Sequence, residues 1–543
     1  YNYKENIVDT DLPRWDFRLE QQVTTGKQGI ITNQDSNSDR YVIDLFATYN
    51  KTIARKHNIG VLAGYNQEYC KAWWFNVRKA GLISLSTPVL SAASDLQNSG
   101  GGKDDYAMMS YFGRINYDYA GKYLLEANVR LDGSSRFAPG NRWGTFPSFS
   151  AAWRISEEAF WENLKPVVDN FKIRASWGRL GNNGIGNYDW QNVYSPANTS
   201  FGDAIQQGVW TTAIANRNIS WEKTDVVDLG LDVNLFGNLS LTFDYYNKLT
   251  HGILYRNPIP YVNGGLAAPM VNSAKVRNRG FEFSASYNKM LGDLGLSVSV
   301  NGAYNRNKII DYKGDYLETN GATVWTENQP IGKFYIREVD HIVQDKAEID
   351  KLVSEGWTFS PSRPEPGDFL YKDLNNDKRI DDKDRVLKGQ PLPLFTFGGS
   401  IALSYKNFDF NALFTGVAGW DRYLSTGIFS LTNAETERLF LKQFQNQWSE
   451  TNRNTSIPKL YASNEKNNQV SDYYLYDASF LRVKTIQLGY TIPKNLIPKV
   501  RIRAYCNLEN FFTITSYPGM DPEMDGDVGY PILKTVSLGV NIK

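Results

Sequence analysis

Apolar and polar residues alternate along most of this chain with a period of two. Over 122–132, Tyr123, Leu125, Ala127, Val129 and Leu131 fall on one face, and Lys122, Glu126, Asn128, Arg130 and Asp132 on the other, where Leu124 is the apolar exception. Over 225–235, Val227, Leu229, Leu231, Val233 and Leu235 alternate with Asp228, Gly230, Asp232 and Asn234. A tight turn at Phe236-Gly237-Asn238 follows. Then Leu239, Leu241, Phe243 and Tyr245 alternate with Ser240, Thr242, Asp244 and Tyr246. Strict alternation gives a strand one apolar and one polar face. The pattern predicts strands near 14–24, 41–50, 57–69, 105–119, 122–132, 143–154, 170–180, 223–235, 238–249, 276–288, 293–305, 394–405, 408–416, 476–492, 499–512 and 532–543.

The lengths of these segments matter. Strands of soluble proteins run about five or six residues, whereas strands that cross a bilayer obliquely need about 9–11. Most segments here reach the longer value or exceed it. Connections also alternate. Short ones lie near 51–56, 120–121, 236–237, 289–292, 406–407 and 493–498; long ones lie near 70–104, 181–222, 250–275, 306–393 and 417–475, with shorter ones of that set near 133–142 and 513–531. The segment 155–169 reads as a helical turn. Short turns at one end and long loops at the other predict an all-β fold, a transmembrane antiparallel β-barrel with long extracellular loops and Lys543 on the periplasmic side. A large soluble sandwich or propeller with one wet face would alternate too. Strand length and loop rhythm favour the barrel.

Composition agrees. Aromatic residues make up 14%, with Tyr 33, Phe 28 and Trp 14, and such residues favour strands and membrane interfaces. The net charge of +1 gives no polyanion footprint, so nucleic acid is not an expected partner. Mean hydropathy is −0.45, and no apolar run is long enough for a membrane helix, which leaves a β-barrel open. The chain opens on Tyr-Asn-Tyr-Lys-Glu-Asn with neither Met nor a signal peptide, and so reads as part of something longer.

Enzymatic chemistry has little material. Three histidines (His57, His251, His341) are scattered, no Gly-x-Ser-x-Gly elbow occurs, and no phosphate-binding loop is present, so the chain does not read as an enzyme. The two cysteines, Cys70 at the start of a long loop and Cys506 on an apolar strand face, have no reason to pair. The sharpest local motif is Asp373-Leu-Asn375-Asn-Asp377-Lys-Arg379-Ile-Asp381-Asp-Lys-Asp384. Asp373, Asn375, Asp377, Asp381 and Asp384 occupy positions 1, 3, 5, 9 and 12 of an EF-hand-like loop, with the Arg379 carbonyl at position 7 and Ile380 as the apolar anchor. Ca²⁺ suits this oxygen spacing and would stiffen the loop. Lys378 stands where Gly usually makes the turn, and Asp384 replaces the usual Glu; the alternative is a polar turn without metal. Asp521, Glu523, Asp525 and Asp527 form a second acidic cluster without ligand spacing, which reads as a solvated loop. Seven tryptophans in expected loops, Trp73, Trp74, Trp190, Trp210, Trp325, Trp357 and Trp420, are candidates for stacking on a substrate such as a sugar, or else for loop packing.

Several stretches resemble the SusC/RagA family of TonB-dependent outer-membrane transporters of Bacteroidetes. They include Tyr111-Phe-Gly-Arg-Ile-Asn-Tyr-Asp-Tyr-Ala-Gly-Lys-Tyr-Leu-Leu-Glu-Ala-Asn-Val-Arg-Leu-Asp-Gly-Ser-Ser-Arg-Phe137, Phe146-Pro-Ser-Phe-Ser-Ala-Ala-Trp-Arg-Ile-Ser156 and Lys172-Ile-Arg-Ala-Ser-Trp-Gly-Arg-Leu-Gly-Asn182. Trp221-Glu-Lys-Thr224, Gly367-Asp-Phe-Leu-Tyr-Lys-Asp-Leu-Asn375 and Ala478-Ser-Phe-Leu-Arg-Val-Lys484 fit as well. The resemblance runs from about residue 40 to the C-terminus. It implies an outer-membrane barrel of about 22 strands with a plug and a TonB-binding segment. The roughly 16 strands read here are then its C-terminal part, with the remaining strands and plug supplied by another chain or segment, because open sheet edges cannot face lipid. The resemblance further implies a SusD-like surface lipoprotein as lid, TonB as energy source through the missing region, and import of an oligosaccharide or, second, an oligopeptide. A non-transporting surface adhesin and a soluble polysaccharide-active β-protein are the readings from other classes.

Overall fold

The computed structural model describes residues 29–543 apart from 84–85, 87, 203, 260–261, 263–264, 313–316, 319–320, 426–444, 462–465, 494, 498–499 and 525–529, together with the backbone of 2–8, 14–16 and 21–23. Sixteen strands form one continuous antiparallel sheet in chain order. They are β1 (Asn2–Val8), β2 (Ile30–Ile53), β3 (His57–Leu82), β4 (Ala93–Tyr119), β5 (Tyr123–Ser134), β6 (Trp143–Arg154), β7 (Val168–Asn182) and β8 (Glu222–Leu235). The second half comprises β9 (Leu239–His251), β10 (Lys275–Leu291), β11 (Leu294–Asp311), β12 (Phe395–Tyr405), β13 (Phe408–Ala418), β14 (Phe480–Thr491), β15 (Ile502–Thr515) and β16 (Thr535–Ile542). Each long strand pairs with its sequence neighbours, which is the up-and-down order of a barrel wall.

The expected alternation holds strand by strand. Val227, Leu229 and Leu231 stand opposite Asn247, Tyr245 and Phe243 on one face, while Asp228, Gly230 and Asp232 oppose Tyr246, Asp244 and Thr242 on the other. The apolar rows are not packed into a core. Leu229 is 52% exposed, Leu125 51% and Phe149 55%. A water-soluble fold would bury such rows. Aromatic rings bracket them: Trp153 stacks on Tyr123 at 6.2 Å near the short turns, and Trp143 on Tyr111 at 6.1 Å towards the long loops. Trp143 and Trp153 lie ten positions apart on β6, ~33 Å along a strand, which at a tilt of ~40° spans ~25 Å, the height of an outer-membrane apolar band.

The short-turn end is as expected. Ala54 and Arg55 (φ 50° and 58°), Ala120 with Gly121, Phe236 with Gly237, and Lys406 take left-handed conformations that let strands reverse within a few residues. The segment after β6 holds two 3-10 turns, Ile155–Glu157 and Ala159–Leu164.

Two expectations are corrected. The strand near 14–24 is two short strands, Arg14–Asp16 and Gln21–Val23, paired with each other outside the main sheet, whose first strand is instead β1. The segment 70–104 is mostly strand rather than loop. β3 and β4 stay paired from His57–Tyr119 up to Leu82–Ala93, with a one-residue bulge where Arg78–Asn98 gives way to Lys79–Leu96. β2, β3 and β4 therefore extend well past the aromatic row, and β1 pairs with that extension alone, from Asn2–Ser36 to Val8–Ile30. At the end opposite the short turns lie the described parts of the long loops 306–393 and 417–475. They fold together around Ile342, Val343, Ile349, Phe369, Leu370, Tyr371, Ile380, Trp448 and Tyr474. This body includes a four-stranded sheet and the helix α1 (Lys346–Ser354), N-capped by Asp345 accepting from the Glu348 amide at 3.0 Å.

Candidate functional site

Three places gather polar chemistry: the polar face of the sheet, the folded long-loop body, and the extended hairpin.

On the polar face, Arg174 of β7 reaches across the sheet to Asp232 at 3.0 Å and Asp244 at 2.9 Å, and Lys172 joins Asp232 at 3.1 Å. Gly230 lies beneath this cluster. A Cβ there would stand 2.4 Å from Asp244 Oδ1 and 2.5 Å from the Arg174 guanidinium carbon, so only glycine lets the charges meet over the strand. The device recurs at Gly489, under the Arg503–Asp409 pair, with Arg503 also donating to Gln487 at 2.8 Å. A cavity of about 620 Å³ runs along this face past Asn50, Asn58, Glu126, Arg174 and Asp228. A second, of about 850 Å³, includes Asp244, Glu282, Asn301, Lys484 and Glu523. The residues expected to be wet, Glu126, Arg130, Asp228 and Asp232, all lie here.

The acidic cluster near the C-terminus is not a solvated loop. The Arg482 side chain is fully buried, binds Asp521 through both carboxylate oxygens at 2.7 and 2.5 Å, and meets Glu523 at 2.6 Å. A buried guanidinium must find anionic partners, and the loop after β15 folds onto the polar face to supply them. Asp525 and Asp527 lie outside the described residues.

In the loop body, Arg337 is buried and donates to the Ser360 carbonyl at 2.8 Å and to Asp382 at 3.0 Å. Buried Asp368 accepts from Asn467 at 3.1 Å, and Asn467 in turn accepts from the Phe369 amide at 2.9 Å, joining the two long loops. Lys388 lies 2.8 Å from both Glu338 and Asp472. Hydrogen bonds from Lys388 and Lys372 hold the Glu338 carboxyl below its ordinary range. His341 lies between Asp340 (2.8 Å) and Glu348 (2.5 Å); burial disfavours its charge, but the two carboxylates outweigh it and raise its pKa.

The EF-hand-like segment forms a tight loop of its own. Asp373 accepts from the amides of Asp377 (3.3 Å) and Lys378 (2.9 Å), Asn375 from Asp377 (2.9 Å), and Asp377 from Arg379 (2.8 Å). Lys378 takes φ 63°, the left-handed turn that glycine usually makes, and anchors its ammonium on the Glu355 carbonyl at 3.0 Å. Ile380 is buried, and Arg379–Ile380 pair with Thr358–Phe359. Asp384 is fully buried and accepts from the amides of Leu374 (3.0 Å) and Asp381 (2.9 Å), while Asp381 caps Lys383 at 2.8 Å. Among the described residues no three His, Cys, Asp or Glu side chains converge as a metal cluster. Any cation here would rest on a mixed set that includes Asn375 and a backbone carbonyl.

The seven tryptophans are spread apart. Trp357 packs on the loop-body core, Trp325 on Tyr312, and Trp420 beside Tyr517 with its N–H on the Pro391 carbonyl at 3.2 Å. Trp190 sits against the cluster of Phe137, Phe146, Ile219 and Trp221, under Arg217 at 5.8 Å. Trp73 stacks on Phe75 at 6.1 Å. Trp74 and Trp210 are exposed, on β3 and on the hairpin Tyr194–Phe201/Ala204–Thr211. Sequence reasoning missed the buried hubs Arg337, Asp368, Asn467 and Arg482, because nothing local marks a polar residue whose partners lie tens of residues away.

The family model described as "TonB dependent receptor-like, beta-barrel" matches residues 1–510. The chain belongs to the TonB-dependent receptor β-barrel family. TonB-dependent receptor P3 of Formosa agariphila is 31% identical, over 95% of this chain and 54% of that protein. TonB-dependent receptor SusC of Bacteroides thetaiotaomicron is 30% identical, over 80% of this chain and 44% of that protein. The solved RagAB peptide transporter superposes with a TM-score of 0.81 at 25% identity, over 95% of this chain and 56% of that one. This TonB-dependent receptor chain thus spans about half the length of the curated relatives it matches. The family is one of outer-membrane β-barrel receptors, not enzymes, so the exposed apolar rows are the lipid-facing wall and the charged face is turned to the barrel interior.

Proposed function

We propose that this chain is the barrel wall and outer-loop portion of a SusC/RagA-type importer that takes up an oligosaccharide across the outer membrane, driven by TonB and capped by a SusD-like surface lipoprotein. The observation that carries the reading is the two-faced sheet: a lipid-exposed apolar side backed by a polar, ion-paired side with large cavities. The edge of β2 facing away from β3, over its membrane half, and the far edge of β16 have no strand partner among the described residues. Strands and a plug from another segment or chain complete the wall. The test is uptake of fluorescent oligosaccharides by cells carrying the complete transporter, with and without its TonB-binding segment. Uptake that depends on the segment supports import; uptake that ignores it overturns the TonB coupling. Oligopeptide import is the second reading, favoured by the likeness to the RagAB peptide transporter, and labelled peptides in the same assay decide between them.

The loop 373–384 we propose to hold Ca²⁺ through Asp373, Asn375, Asp377, the Arg379 carbonyl, and Asp381 or Asp384. The left-handed turn at Lys378 and the buried anchor Ile380 support this. Each of these carboxylates accepts from loop amides and keeps further lone pairs for a cation. The expected outcome is slower proteolysis of 360–390 in Ca²⁺ than in chelator, abolished by Asp373→Ala with Asp377→Ala; equal rates in the parent protein would contradict a Ca²⁺ site.

A further inference from the structure

The extension of β2, β3 and β4 beyond the aromatic row has two unlike faces. Directly opposed residues of antiparallel strands share a face. Trp73, Phe75 and Lys71 continue the lipid-side face, with Asp39, Asp35, Lys103 and Asp105 beside them. Trp74 lies on the other face, continuous with the barrel interior. Its neighbours there are Ser36 on β2 and Gly102 on β4, followed by Asn76, Gln34 and Gly100. The pair on the other side of Trp74 on this face is Ala72 with Ser38 and Asp104, so its surroundings are amides, hydroxyls, glycine and one carboxylate, while Asp35, Asp39, Lys71 and Lys103 sit on the opposite side.

The glycines decide how the indole lies. A Cβ at Gly102 would stand 3.0 Å from Trp74 Nε1, and one at Gly100 3.7 Å from the far edge of its six-membered ring. The ring thus stretches across two glycines of the neighbouring strand, flat on a bed without side chains. The residue is 44% exposed. A cross-strand aromatic can cover strand glycines for stability alone. That role does not require hydrogen-bonding side chains at the surrounding positions.

We propose that Trp74 is a stacking platform for a neutral sugar ring, with the Gln34 and Asn76 amides and the Ser36 hydroxyl as flanking hydrogen-bond partners, at the outer mouth of the interior face. An apolar C–H sugar face packs on an exposed indole, and uncharged donors and acceptors match hydroxyls. This deepens the oligosaccharide reading and rests on it.

The test uses the complete transporter, with its lipoprotein, in detergent. Wild type is screened against an array of short neutral oligosaccharides, and the best binder is titrated against variants. Trp74→Ala is expected to weaken binding roughly tenfold, an amount that ~1.4 kcal/mol of stacking would produce. Gly102→Val, which tips the ring off its bed, is expected to act in the same direction, whereas Trp74→Phe retains most binding. Hydrogen exchange of 70–82 and 93–104 reports whether the strands stay paired. If wild type binds a glycan and Trp74→Ala binds it equally, the platform is wrong and the glycan reading survives. If Trp74→Ala loses binding only together with strand protection, while Gly102→Val binds like wild type, the indole is structural and the proposal falls. If wild type binds no neutral glycan, the oligosaccharide reading itself fails.

Discussion

At the scale of single residues, the fold imposes opposite demands on adjacent positions. Leu229 faces hydrocarbon and Gly230 lies under a charge cluster. Leu229→Arg, near the middle of the apolar band, should cost ~2–4 kcal/mol of barrel stability, read as a lower midpoint for loss of the compact, heat-modifiable band in gels. Gly230→Val should be comparably harmful for the other reason, since it pries Arg174 from Asp244. Arg482 carries a similar load. Replacing it with Met leaves Asp521 and Glu523 without their cation, a local cost of ~3–5 kcal/mol, and proteolysis after 516 should accelerate. Arg482→Met combined with Asp521→Asn and Glu523→Gln should recover part of that protection. Titration supplies another check. His341 has a raised pKa, so its contribution to the loop body is complete below its unfolded value of about 6.5 and fades as pH rises through the folded value. Glu338 has a lowered pKa, so its contribution holds above about 4.3 and is lost as pH falls through its folded value. Protection of the loop body should therefore peak in mildly acidic solution and decline by pH 9, and His341→Asn should remove the alkaline decline.

At the scale of elements, the membrane strands were legible because lipid on one side and water on the other write alternation directly into the sequence. Fifteen of the sheet strands overlap segments that alternation marks; the exception is β1. The extended hairpin was not legible for a physical reason. Beyond the aromatic row both faces of β3 and β4 are wet, so Asn76, Arg78, Asn98 and Gly100–Gly102 carry no two-fold pattern, and glycine itself disfavours strands. Pairing there is propagated by register from below. The loop body was hidden differently. Its core draws Ile342, Phe369, Trp448 and Tyr474 from segments about a hundred residues apart, each too short to show a period. The EF-hand-like spacing, by contrast, was visible at once, and the left-handed Lys378 shows that lysine can make the turn there. Cys70 fell on a strand rather than at a loop start, and both cysteines are free.

At the scale of the whole molecule, one asymmetry organises everything: outward side chains are apolar and exposed, inward ones are polar and mutually paired. On the polar face, charges meet in pairs such as Arg174–Asp232 and Arg503–Asp409. The folded loop body at one end, and turns of a few residues at the other, give the wall an outer and an inner end. A direct measurement of the asymmetry replaces Cys70 and Cys506 with Ser in the complete receptor. Single cysteines are then placed along β8 from 226 to 233 and labelled with an environment-sensitive fluorophore. In liposomes containing lipid-attached quenchers, quenching should rise and fall with a period of two, strong at 227, 229, 231 and 233 and weak between them. Uniform quenching, or none at any position, would contradict the assignment of this face to lipid and the account built on it.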